Sequence, residues 1–382
     1  MAHVLDGRHL YDNSSFGTAP TTFTPKDTNI LTHFYKIKYT LGEVMASLAM
    51  IESPTNTALI EPKSAPPPYA DEPNAPVEKE PLMPSEAEAD ADVEVTITPN
   101  KPITHNIRTT MRHLKNVGGF RGRWRGLGWS IFYHMAHGFA SNLLAAFMGL
   151  GVFGSSLTYI MVSICLSRLH MAWTHSMIAA PTNTPWYTRM VPRKQCKPLL
   201  LPALVFATAQ QATIILPIAV AFALGLPQIH AENIHDKSGC HMGLVALRFL
   251  AVPATFLIVA LAVLLPAAVT LTRIEALLLP TDRETIVPFD RAAILGDIDM
   301  TKCGSSKSLF VSAWRSFDRA ARLRLIKLYV KMALVQVAIV VVAVHLLVAE
   351  SFLINGEKLA QMARAAHANV TKGVVAVKEG AQ

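Results

Sequence analysis

The chain is poor in charge. Only 16% of its 382 residues are Asp, Glu, Lys or Arg, against roughly 25% in an ordinary soluble domain. Long apolar stretches are therefore the first expectation. Cysteine is scarce too: Cys165, Cys196, Cys240 and Cys303 lie far apart with no CxxC spacing, which points to neither a disulfide framework nor a zinc ribbon. Residues 1–40 mix Asp6, Arg8, Asp12, Lys26, Asp27, Lys36 and Lys38. They match neither a signal peptide nor an arginine-rich transit peptide, so any targeting information is expected to be internal. No nucleophile, histidine and acid stand together as a catalytic set. The acidic pairs Glu284/Asp290 and Asp297/Asp299 in the connector 280–312 have no such neighbours. The chain is not expected to be an enzyme or to carry a cofactor.

What is present is apolar length. The residues are 51% hydrophobic, with a mean hydropathy of +0.32, and a bilayer needs about 20 apolar residues per helix. Residues 129–170 are long enough for two helices, broken at the glycine-rich MGLGVFGSS (148–156). Residues 200–225, 243–272 and 328–353 make three more spans, the second of them long enough to tilt or kink at Pro253 or Pro266. Residues 29–52 form a weak span, compromised by Lys36, Lys38 and Glu43. Between them lies an acidic, proline-rich linker, 63–100, too poor in large apolar residues to order itself. The expected organisation is thus an N-terminal segment 1–62, the linker 63–100, a membrane domain 105–355 and a tail 356–382. Basic connectors precede the spans beginning near 129, 200 and 328, and they alternate with weakly charged turns. That is the pattern of a positive-inside topology built from hairpins.

The chain also repeats. SRLH (167–170) and TRIE (272–275) both close an apolar helix, with Arg168 and Arg273 in register. TMRHLKNVGGFRGRWRGL (110–127) and AWRSFDRAARLRLIKLYV (313–330) both read as a basic amphipathic helix feeding a span. A repeat of about a hundred residues with two spans each describes a transporter of parallel repeats around an axis along the membrane normal.

These residues resemble the mitochondrial carrier family. Gly119, followed after four residues by Trp124-Arg125-Gly126, matches the second half of the family signature, with Gly118 where the acid belongs. Pro266 and Arg273 fit the first half, Met161 and Arg168 fit it less fully, and Lys327 is what the third connector keeps. The resemblance covers roughly residues 105–352. It implies an all-α membrane protein of six (or five) tilted transmembrane helices in a pseudo-threefold bundle, with short amphipathic surface helices. It also implies a charged gate that this sequence lacks, because the acid positions hold Ser163 and Ala268 and the first bases are Leu166 and Leu271.

Polar residues inside spans are costly and so mark function. Asn142, Gln210, Gln211 and His345 are the expected solute-lining residues, whereas Arg248 sits near a helix end and snorkels. The loop His230, His235, Cys240, His241 has no defensible metal spacing, so no metal is assigned. An RNA-binding reading of the arginine/glycine stretch fits poorly beside a membrane span, and no nucleic-acid partner is expected. Pro66, Pro67 and Tyr69 match a WW-domain ligand. Two functions stay open. One is a divergent carrier moving a small solute across the inner mitochondrial membrane. The other is a non-transporting adaptor, in the outer membrane, docking partners through its tail.

Overall fold

The computed structural model describes residues 32, 34–54, 56–61, 94–99, 101–149, 151–182, 191–229, 239–296, 298 and 305–379. By its contacts the chain divides into one compact unit, Thr40–Tyr329, and a second made of Met1–Tyr39 and Val330–Gln382.

Nearly every described element of the first unit is helical. It opens with the π-helix Tyr39–Met45, whose first residue belongs to the second unit, and then α1, Ala46–Ile51. Every residue of α1 is buried; Leu48 and Ile51 are wholly so, as is Val44 of the π-helix. The hydropathy of this stretch is weak because it is a core element carrying Thr40 and Ser47 inward, not a lipid-coated span. The next segments pair as strands: β1, Asn56–Glu61, lies antiparallel to β2, Glu94–Pro99, with Ile60 opposite Val95 and Ala58 opposite Ile97. Val95, Thr96, Ile97 and Thr98 are β-branched and favour the extended chain. Acidic composition hides this at the end of the 63–100 segment, whose residues 63–93 and 100 lie outside those described.

The Glu52 carboxylate then organises the restart. It accepts hydrogen bonds from the backbone N–H of Ile103, from that of Thr104 (3.0 Å), and from the Thr104 hydroxyl. This seats a 3-10 turn, Ile103–His105, ahead of the amphipathic α2, Ile107–Gly118. Gly119 ends α2 at φ 63°, and a second left-handed glycine, Gly126 at φ 73°, opens α3, Leu127–Met148. Between them a 3-10 turn, Phe120–Trp124, folds back on α2. Gly149 and Gly151, both at positive φ, tighten the hairpin to α4, Gly151–Cys165. The broad break expected at 148–156 is therefore a two-glycine turn, and Gly154 is helical. After a turn at Leu166 the same path continues as α5, Ser167–Ile178.

A 3-10 segment, Arg193–Leu199, feeds α6, Leu200–Ala223. The next helix runs as α7, Gly239–Val259, a π-turn, Ala260–Leu264, and α8, Leu265–Leu277. Pro266 has no N–H to give the preceding turn, and the π-turn directly ahead of it absorbs the missing bond. A short α9, Ala292–Leu295, and α10, Ser305–Arg315, precede α11, Arg319–Glu379. The helix α11 runs on through EKLAQMARAA (357–366), whose residues are strong helix formers. It thereby crosses most of the stretch assigned above to a tail.

Two apolar clusters hold the first unit. Met171, Leu199, Leu271, Ile274, Ile294 and Leu309 form one. Ala46, Met50, Val269, Phe317 and Leu325 form the other. Outside them the usual order of burial is inverted: Phe139, Phe147, Leu250 and Ile258 are exposed, while Arg273 and Glu275 are buried. So much uncovered apolar side chain marks a membrane protein. By length and composition three described helical stretches suffice to cross a bilayer: Cys196–Ala223, Gly243–Leu277 and Arg319–Glu350. The sequence reading expected five spans. The hairpin falls short because α4 has only 15 residues and α3 carries His134, His137, Tyr133 and Ser130 on its length.

Candidate functional site

The helices α1, α5 and α8 pack against one another in all three pairings, and polar side chains collect beside that junction. Glu275, one residue past the middle of the α8 motif Arg273-Ile274-Glu275, is fully buried. Its Oε1 accepts a hydrogen bond from His170 Nδ1 on α5 at 2.7 Å. Its backbone carbonyl accepts one from His175 Nε2 at 2.6 Å. Burial pushes the His175 imidazole below its ordinary range, so it is neutral and Nε2 carries its proton. Glu275 Oε2 has no hydrogen-bond partner among the described residues.

Aromatic rings enclose His170. Tyr133 meets it edge-on at 5.2 Å, Trp173 at 5.3 Å, and Phe206 lies tilted at 5.9 Å. Tyr133 in turn stacks on Trp173. A second chain of bonds runs across α3, α4 and α6. Ser163 donates to the Tyr159 carbonyl (2.8 Å), so its oxygen accepts from His137 Nε2 (2.7 Å). That leaves His137 Nδ1 to accept from Ser141 (3.3 Å). The Tyr159 hydroxyl donates to Gln210 Oε1 at 3.1 Å. The two systems face a common small cavity of about 10 Å³, lined by Tyr133, Ser163, Ser167, His170, Gln210 and Glu275 among others.

Of the four expected lining residues, Gln210 alone reaches this cavity. Gln211 is buried on the same helix. Asn142 is exposed, and its amide bonds the Gly138 carbonyl one turn back. His345 belongs to the other unit, is exposed, and bonds the Val341 carbonyl in the same manner. A polar side chain in a helix satisfies itself on the preceding turn when no neighbour is offered.

The motif residues hold the architecture. The Arg125 guanidinium donates to the Ala179 carbonyl, so it clamps α5 instead of facing headgroups. Arg168 donates to the Val191 carbonyl (2.8 Å), ahead of α6. Arg273, stacked on Phe317, donates to the Met50 carbonyl (3.1 Å) and the Ser316 hydroxyl (3.0 Å), ahead of α11. The two register-matched arginines thus tie one helix to the entry of the next. Trp124 packs edge-on to Phe120, and Lys327 is exposed. Pro66, Pro67 and Tyr69 lie outside the described residues, as does most of the His230–His241 loop. No group of three metal-ligating side chains occurs among the described residues.

Sequence reasoning missed His170, Glu275 and His137, because it searched the spans for isolated polar residues and not for pairs in register. It had the clue: His170 and Glu275 are the last residues of SRLH and TRIE, 105 positions apart. A second clue went unread. Met50-Ile51 and Met177-Ile178 are each followed, two residues on, by Pro-Thr-Asn-Thr. Both copies dock on one strand of chain after α8: Ser53 N–H on the Pro288 carbonyl (2.9 Å), Ala180 N–H on the Glu284 carbonyl (2.8 Å), and Ile286 N–H on the Ile178 carbonyl (2.9 Å). None of the family models, curated proteins and solved structures compared with the chain matches it.

Proposed function

We propose that the chain is a divergent carrier-like transporter that moves a small solute across the inner mitochondrial membrane. In this reading α1, α4–α5 and α7–α8 are the odd-numbered helices of the three repeats of a pseudo-threefold bundle. The observation that carries it is the contact between His170 and Glu275. Residues at equivalent positions of two repeats meet only near the axis that relates the repeats, and the third repeat supplies α1 to the same junction. Uncharged residues stand at the gate positions, so the cross-repeat bond between His170 and Glu275 takes over the closing of the bundle. The inner membrane follows from the family resemblance and the basic connectors. The test is uptake of a solute panel by liposomes holding the purified chain. Transport of one solute, reduced by Gln210→Ala and His170→Ala, is the expected outcome; no uptake of any solute sinks the reading.

A second reading is a non-transporting adaptor. It is favoured by the size of the cavity at the junction, which leaves room for little more than one water. Protease digestion of intact mitochondria separates the two, because an outer-membrane adaptor exposes residues 63–93 and an inner-membrane carrier protects them until the outer membrane is ruptured.

A further inference from the structure

We infer that the cavity between α3, α4, α5, α6 and α8 is a proton-binding site, in which one water-sized ligand bridges Glu275 Oε2 to its polar lining and the His170–Glu275 pair holds the proton. The inference rests on the site alone and does not depend on what the bundle transports.

Charge balance makes the argument. Glu275 is 0% exposed, and an uncompensated carboxylate in such a place is strongly unfavourable. Arg273 is two residues away but spends its guanidinium on Met50 and Ser316. His175 reaches only the backbone of Glu275. The pair is neutral when it carries one proton beyond a carboxylate and a neutral imidazole, and it is a buried anion without it. A hydronium entering the cavity delivers that proton to the pair and remains as the water that satisfies Oε2. A cavity of about 10 Å³ suits a single water. Six polar or ionisable side chains line it, enough for the partners a buried water needs. A metal cation fits less well, since Glu275 is the only carboxylate in that lining.

The surrounding groups bear on this proton from each packed element. Tyr133, His134 and His137 come from α3 and Tyr159 from α4. Glu43 of the π-helix lies within electrostatic reach of His170. Arg168 and His175 share α5, and Arg273 shares α8. The lining contains no ionisable side chain from α6 or α10.

The test uses the full-length chain in nanodiscs, with protons as the probe, followed by infrared difference spectroscopy over a pH series in KCl and again in NaCl. One carboxyl band should titrate in the wild type and vanish in Glu275→Gln. His170→Gln should move its midpoint by about one pH unit or more. Trp173 touches His170 at 5.3 Å, so its fluorescence gives a second readout on the unmodified chain. A pH-dependent quenching that Trp173→Phe abolishes supports the site even where Glu275→Gln does not fold. A wild-type titration indistinguishable from that of folded Glu275→Gln overturns the proposal. So does fluorescence of Trp173 that is flat with pH. A midpoint that moves with sodium at constant ionic strength also overturns it, in favour of a metal cation.

Discussion

Glycine is where single residues decide most in this fold. A Cβ on Gly126 would stand 2.3 Å from the Ser176 hydroxyl and 3.1 Å from Met177, at a backbone φ of 73°. Gly126→Ala should therefore lose roughly 2–4 kcal/mol, from left-handed strain plus overpacking. At Gly119 the φ is 63° but nothing lies within 4 Å. Gly119→Ala should lose only roughly 1–2 kcal/mol. Chemical denaturation of the two variants in detergent checks the order, and equal losses would contradict the close approach of α3 to α5. The pH dependence of stability carries a second residue-scale prediction. Burial holds His175 below the ordinary imidazole range, so the folded chain keeps it neutral. The unfolded chain protonates it as pH falls through about 6.5. The unfolded state then binds the extra proton, and stability drops with acidification below that point. His175→Gln should flatten this part of the profile, measured as the unfolding midpoint between about pH 7 and pH 5.

Helices were legible wherever their hydrophobicity was unbroken. The span expected at 200–225 is α6, and the long one at 243–272 has its irregularity next to Pro266, because a missing backbone donor is visible in sequence. The first helix was dimmed by a different physics. Hydropathy measures fitness for lipid, whereas α1 is covered on all sides by protein and can carry polar groups that pair internally. Spin labels replacing Phe139 and Phe147 on α3, both exposed, should be accessible to oxygen dissolved in the bilayer. A label at Leu48, fully buried, should be accessible to neither oxygen nor an aqueous relaxation agent. High oxygen access at Leu48 would return α1 to the role of an ordinary lipid-facing span. The strand pair shows the opposite failure of legibility. Four β-branched residues cannot outvote an acidic, proline-rich segment when composition is read over forty positions.

At the scale of the whole molecule, three membrane-length helices among the described residues, with many exposed apolar side chains, predict that the chain stays with the membrane pellet after alkaline carbonate treatment. Release into the supernatant would contradict the reading of its surface. The repeat was partly legible. Its arginines stand out because the same residue type, Arg168 and Arg273, recurs near the end of an apolar helix at matched positions. The residues that meet across it, His170 and Glu275, differ in identity and are recognisable only once their shared register is noticed. The segment 284–290 adds something that side-chain comparison misses. It receives the chain leaving α1 and the chain leaving α5 through peptide N–H and carbonyl groups; every residue supplies the carbonyl, and all but proline the N–H. Its peptide bonds make no demand on side-chain identity, although the Ser53 hydroxyl also accepts from the Asp290 N–H (3.0 Å). Side chains on either side of those peptide bonds can change while the joint persists, whereas a proline at a donating position, Ser53, Ala180 or Ile286, removes one of its bonds.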